Sequence, residues 1–201
     1  MKKLTFVLGF AVLAMGILEA NPSYAGVFSV YHFVAPGKSA AALEPEVTLS
    51  NGAGVAANLK YTYGLNELSN VQAILGTGSG PRRFRIGGNM NFDFFPDVQG
   101  QPGMGIAAQA LYYRLENNGQ LELTGIPYIH KAYPMADGHG IEPFAALPAG
   151  IGFSDGTYRG LWQFVVGGMF KMTESFSYVV ELGVDISNTE SYVSGGIIYY
   201  F

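Results

Sequence analysis

Apolar side chains recur at every second position along much of this chain. Over 176–186, Tyr178, Val180, Leu182, Val184 and Ile186 share one side, and Ser177, Glu181, Gly183 and Asp185 the other. Over 159–172, Trp162, Phe164, Val166, Phe170 and Met172 oppose Gln163, Gly167 and Lys171. Over 83–95, Phe84, Ile86, Met90, Phe92 and Phe94 oppose Arg83, Arg85, Asn89, Asn91 and Asp93. A period of two marks an extended strand, whose successive side chains leave on opposite faces. This pattern predicts about ten strands, at 41–50, 54–64, 69–78, 83–95, 103–114, 119–132, 140–152, 159–172, 176–186 and 191–201. Between them lie short stretches rich in Gly, Pro, Asn, Asp and Ser, such as Asn51-Gly52, Pro134 to Gly138 and Ser154-Asp155-Gly156, the residues that favour tight reversals. The third, fifth and seventh strands alternate poorly around Ile74, Ala107–Leu111 and Phe144–Pro148, and either a bulge or a locally apolar interior accounts for that.

Composition narrows the solvent around these strands. Hydrophobic residues make up 49% of the chain, yet beyond residue 18 no apolar run has the length of a membrane helix. Only helices and closed barrels satisfy every backbone polar group inside a bilayer, so a spanning structure here must be a barrel. There is no cysteine, which rules out disulfides and thiolate metal sites. The net charge of −4, without basic blocks, argues against nucleic acid as a partner.

The two ends of the sequence agree with a barrel. Met1-Lys2-Lys3 followed by the uncharged run Leu4–Leu18 has the form of a signal peptide. Ser23-Tyr24-Ala25 fits its cleavage site, with Ala20 a second candidate cut. At the other end Phe201, Tyr199, Ile197, Gly195 and Val193 form one apolar face that stops on an aromatic residue. This ending resembles the closing strand of small Gram-negative outer-membrane β-barrels, the class of OmpA, OmpW and OmpX. The resemblance implies an all-β, closed, antiparallel up-and-down transmembrane barrel of about ten strands, with eight or twelve as the alternatives. It also implies a bacterial outer-membrane location and makes Phe201 and Tyr199 the signal read by the barrel-insertion machinery. Outer-membrane lipid and lipopolysaccharide are the further partners implied, and the barrel is expected as a monomer. The division expected is 1–25 as cleaved leader, 26–40 as a segment at the periplasmic mouth or in the lumen, and 41–201 as barrel. With Phe201 at the periplasmic rim, the turns at 66–70, 96–102, 134–138 and 173–175 are periplasmic. Those at 51–52, 78–81, 116–119, 154–156 and 187–190 face outward.

Candidate chemistry lies on the inward face. Glu44, Glu46, Lys60, Arg83, Arg85, Asp93, Glu122, Glu142, Lys171, Glu181 and Asp185 all take lumen parity. Inward side chains fill a small barrel, and charges confined there must pair, because an isolated buried ion costs several kcal/mol. Arg83 and Arg85 are expected to bond carboxylates on neighbouring strands, with Glu44, Glu46 and Glu122 as candidates. Tyr61, Tyr63, Phe94, Tyr112, Tyr133, Trp162 and Phe176 fall near predicted strand ends and suit an aromatic interface girdle.

Catalysis finds little support. His130 and His139 flank a predicted periplasmic turn, Ser154-Asp155 lies at the other end, and His32 precedes the first strand, so no proton-sharing set is expected. No His/Asp/Glu spacing reads as a metal site and no cofactor is expected. Gly76-Thr77-Gly78-Ser79-Gly80 lacks the Lys-Ser/Thr of a phosphate loop and reads as a hairpin tip. The cations at Arg82 and Arg83 on that tip suit lipopolysaccharide phosphates. The function expected is a structural, membrane-stabilising barrel with a charged, largely filled lumen. A narrow channel for small solutes or ions is the alternative, and a lipid-A-modifying enzyme a third.

Overall fold

The computed structural model describes residues 34–50, 54–79, 83–98, 100–114, 119–135 and 138–201. The expected leader and its cleavage site, His32, residues 26–33, and the turn residues Asn51, Gly52, Gly80, Pro81, Arg82 and Glu116 to Asn118 lie outside the described residues.

Among the described residues twelve strand segments follow one another: β1 Ser39–Thr48, β2 Val55–Asn66, β3 Ser69–Gly78, β4 Phe84–Phe95, β5 Gly103–Arg114, β6 Gly119–His130, β7 Tyr133–Pro134, β8 Gly140–Ala146, β9 Ala149–Ser154, β10 Thr157–Lys171, β11 Phe176–Ser187 and β12 Tyr192–Tyr200. Each pairs antiparallel with its neighbours, and together they make ten staves of a closed barrel. β8 and β9 are two halves of one stave. On β6, Tyr128 faces Ala146 and Gly125 faces Ala149 in a single unbroken register. The same continuity holds against Val165 and Trp162 of β10. The ladder lapses only at Leu147-Pro148, because Pro148 and the nearby Pro127 of β6 each lack an N–H. β7 is a two-residue stub paired with β8.

Closure occurs at β1. Ala41 faces Tyr61 of β2 on one side and Tyr199 of β12 on the other. Ser39 and Phe201 exchange backbone bonds, N–H to C=O in both directions, each 2.9 Å. These bonds carry β1 back to Ser39, ahead of its expected start at 41. Ser39 and Phe201 thus share one rim, the Phe201 rim, with the turns that follow β2, β4, β6 and β10. The other turns make the far rim.

Burial is inverted relative to a water-soluble domain. Leu59 is 53% exposed, while Lys60 next to it is 1% exposed. Leu43, Leu75, Ile86, Leu123, Val180 and Ile197 lie outside in the same way. A surface this apolar suits hydrocarbon rather than water. The poorly alternating strands are explained by a locally apolar interior. Ile74, Ala107, Leu111, Phe144 and Ala146 all point inward and are buried, and the register runs unbroken past them. Most of them join one inner cluster with Ile126, Tyr128, Val165, Met169, Val179 and Ile198.

Large inward side chains are seated against glycines on the facing strand. Gly103 lies opposite His130, Gly105 opposite Tyr128, Gly167 opposite Phe144, and Gly183 opposite Tyr192. A Cβ at Gly183 would come within 2.1 Å of the Tyr192 ring, and one at Gly167 within 2.3 Å of Phe144. Only a missing side chain leaves room for the ring inside so narrow a cylinder. Gly183→Val is therefore expected to lower the unfolding free energy by about 1–3 kcal/mol. Gly160→Val, where nothing lies within 4 Å, should change it by less than about 0.5 kcal/mol. Urea unfolding of the refolded protein in lipid vesicles measures both.

Candidate functional site

The lumen toward the far rim is packed with charged and amide side chains. On β1 and β2, Lys60 Nζ lies 2.5 Å from Glu44 Oε2, both ends sealed from solvent. Asn58 Nδ2 donates to Glu46 Oε2 at 3.0 Å. The same carboxylate oxygen meets Arg85 Nη1 at 3.4 Å, and the Arg85 guanidinium stands 5.3 Å from the centre of the Tyr113 ring. That ring face attracts the cation. Glu46 belongs to β1 and Arg85 to β4, with two staves between them. The partner of Arg85 is therefore across the lumen, a correction to the expected neighbouring-strand pairing. Gly76 on β3 lies between Asn58 and Arg85, and its absent side chain leaves room for the Asn58 amide, whose oxygen would be 2.5 Å from a Cβ there.

Other buried carboxylates are held by neutral donors. Gln120 Nε2 donates to Glu122 Oε1 at 2.6 Å, and the Tyr192 hydroxyl donates to Glu181. The Gln163 amide instead donates to a backbone acceptor, the main-chain carbonyl of Glu190, at 2.6 Å. Removing a carboxylate from water is costly, and such donors recover part of that cost.

A second cluster lies toward the Phe201 rim. His130 is buried at the end of β6. Its Nδ1 is 2.7 Å from Glu142 Oε1, and its Nε2 is 3.3 Å from Asp93 Oδ2. The Tyr128 hydroxyl donates to Asp93 Oδ1 at 2.5 Å. The sequence reading placed His130 at a turn and missed it as a member of the inner network. Its parity was legible, since Gln120, Glu122 and His130 all fall on the inward side of β6. Tyr128, Asn58, Gln163 and Tyr192 were missed in the same way. Polar amides and hydroxyls at inward positions match buried charges as readily as ions do.

Three candidate ions stand outside the closed interior. Arg83, Lys171 and Asp185 are exposed. Asp185 accepts bonds from the Thr189 N–H and hydroxyl in the adjoining loop. Strand parity sets the side on which a residue lies, but position along the stave sets its depth, and these three sit near strand ends. His139 is exposed beyond β7 at the Phe201 rim, and Ser154 closes β9 at the far rim, so His130 and Ser154 occupy opposite ends of the barrel. Asp155 and Gly156 form the tight turn there, with φ of 50° and 72°.

The aromatic candidates point outward. Tyr61, Tyr63, Phe94 and Tyr133 are exposed and Phe176 is partly so, all on the Phe201 side of the barrel, where Tyr199 and Phe201 stack at 6.1 Å. Tyr112 and Trp162 lie toward the far rim. The Tyr61 hydroxyl also bonds Ser39 Oγ at 2.8 Å between β2 and β1.

At the Phe201 rim the lumen opens into a cavity of about 840 Å³. Beside it, Asp97 ties the turn after β4 to the turn after β6. Lys131 Nζ lies 2.5 Å from its Oδ1, and the Ala132 N–H donates to its Oδ2 at 2.6 Å. Partial burial pushes the Asp97 pKa upward. The bonds from Lys131 and Ala132 and the Lys131 charge outweigh burial and hold the carboxyl below the usual range.

The comparisons bear on fold. No protein-family model and no curated protein matches the chain. Among solved structures, an outer membrane channel from Pseudomonas putida F1 aligns with 88% of this chain and 100% of its own, at 11% identity and a TM-score of 0.52. A de novo designed transmembrane β-barrel aligns over 84% of this chain and 98% of its own, at 15% identity and a TM-score of 0.42. Ail, the attachment invasion locus protein of Yersinia pestis, aligns over 83% and 99%, at 14% identity and a TM-score of 0.27. The fold is that of an outer-membrane β-barrel. At these identities the likeness to the channel is one of fold alone.

Two outcomes follow from the site. Arg85→Met removes a buried cation that faces Glu46 and is expected to cost roughly 3–5 kcal/mol, while the double variant Arg85→Met/Glu46→Met recovers most of that loss. Urea unfolding in vesicles reads the difference. For Asp97 the folded pKa lies below the unfolded value of about 3.9. Its stabilisation is therefore present above that value and lost as pH falls through the folded pKa. Amide exchange at Ala132 should stay slow at neutral pH, quicken only on strong acidification, and be fast at neutral pH in Asp97→Asn.

Proposed function

We propose that the protein is an integral barrel of the Gram-negative outer membrane whose role is structural, with its interior closed by its own side chains. The observation that carries this reading is the reach of Arg85 across the lumen to Glu46, beside the Lys60–Glu44 pair. A cylinder of ten staves has little inner width, and two ion pairs packed with Asn58 and Tyr113 occupy it. In this reading the Phe201 rim is periplasmic and Phe201 with Tyr199 forms the insertion signal. The far rim faces outward and carries the exposed Arg83, Arg114 and Arg159, which suit the phosphates of lipopolysaccharide. The barrel acts as a monomer, and no catalytic step is assigned to it.

A narrow channel is the second reading. The wide cavity at the Phe201 rim favours it, because a pore needs such an entrance. The two readings separate in planar bilayers. A barrel closed by its own side chains passes no steady current over a wide voltage range, whereas defined single-channel steps that change in Arg85→Ala would establish the channel and end the structural proposal.

A further inference from the structure

The cavity at the Phe201 rim has features of a binding site as well as of an entrance. Its volume of about 840 Å³ is in the range of about 300–1,000 Å³ that small-molecule sites occupy. The inner wall is apolar. Val34 and Met169 belong to the inner hydrophobic cluster, and Tyr200 packs on it with its hydroxyl 3.3 Å from Met169 Sδ. The lip is charged with both signs. Lys38, Lys171 and Glu174 line the cavity, and among the described residues none of the three is in a salt bridge. The lip also continues onto the barrel exterior. Tyr133, Met135 and Phe201 line the cavity and are at the same time 53%, 54% and 58% exposed. An apolar surface thus runs from the lipid-facing wall over the rim and into the cavity.

We infer that this cavity binds a zwitterionic phospholipid of the adjoining leaflet, with an acyl chain against Met169 and Tyr200 and a phosphoethanolamine head at the lip. The head carries one anionic phosphate and one ammonium. Lys38 and Lys171 meet the first and Glu174 the second. A wholly polar solute would leave the apolar inner wall uncovered. A purely anionic amphiphile would face Glu174, and Glu142 as well, with only the His130 bond to offset the latter. The inference rests on the closed-lumen reading, in which the cavity ends blind on the inner cluster.

Photo-cross-linking of the full chain tests it. The protein is refolded into nanodiscs containing phosphatidylethanolamine with a diazirine on its acyl chain, and the labelled residues are mapped by mass spectrometry. Label on Met169 and Tyr200 is expected, together with label on Leu59 of the exterior as an internal standard. In Lys38→Glu/Lys171→Glu, the inner label should fall about tenfold relative to Leu59, as should the inner label from a phosphatidylglycerol probe. Label confined to the exterior overturns the inference, and so does inner label indifferent to both the lysines and the head group. Inner label that appears only after residues 26–33 are deleted also overturns it, by making the chain's own segment the occupant. Current through the same preparation is an independent readout. A conducting barrel labelled at Met169 removes the closed lumen and keeps the lipid site, and a silent barrel without inner label does the reverse.

Discussion

A strand placed against hydrocarbon has no water to receive its backbone hydrogen bonds, so each N–H and C=O must find a partner within the sheet. An edge left open would cost several kcal/mol for each unpaired group. The reciprocal bonds between Ser39 and Phe201, and the register that joins β1 to β12, remove that edge. The two prolines on facing staves test the same constraint locally. Pro127 and Pro148 supply no donors, but their carbonyls still accept, from the N–H groups of Leu147 and Gln163. The stave is interrupted in its bonding pattern and not in its register.

Closure turns the problem of packing inside out. The wall is lined outward by leucine, isoleucine, valine and aromatic side chains that need no partner in lipid. Everything that must be matched group by group lies within a narrow cylinder. Space there is allotted by glycine. Where Tyr192, Phe144, Tyr128 or His130 projects inward, the facing strand carries a residue without a side chain. Gly76 does the same for Asn58, which donates in turn to Glu46.

The interior is graded along its axis. Toward the far rim it is ionic and tight, at mid-height a row of buried amides and hydroxyls (Thr62, Gln72, Asn89, Gln109 and Thr124) stands opposite an apolar wall, and at the Phe201 rim it widens into a cavity of about 840 Å³. The tie of Asp97 to Lys131 and Ala132 fixes the wide end, since it joins two turns that have no strand pairing between them.

The strands were legible because a two-residue period survives any tertiary arrangement that leaves lipid on one side. The alternation of Tyr178 to Ile186 or of Phe84 to Phe94 needs no partner strand to be recognised, and the ten predicted staves lie close to those observed. Alternation faded at Ile74, Ala107–Leu111 and Phe144–Pro148 because the lumen itself is apolar there, so both faces of those strands are greasy. For the site, parity told which side Glu44, Glu46, Lys60, Arg85, Asp93 and Glu122 occupy. It did not tell depth, which left Arg83, Lys171 and Asp185 exposed near the rims, and it did not tell partners. The sequence by itself determined the strands, their faces and the kind of solvent on each side, since these depend on residues close along the chain. The tertiary structure alone decided that Arg85 meets Glu46 and that His130 lies between Asp93 and Glu142. Those contacts join side chains on different staves, and their distances depend on how far around and along the cylinder the staves lie after it closes.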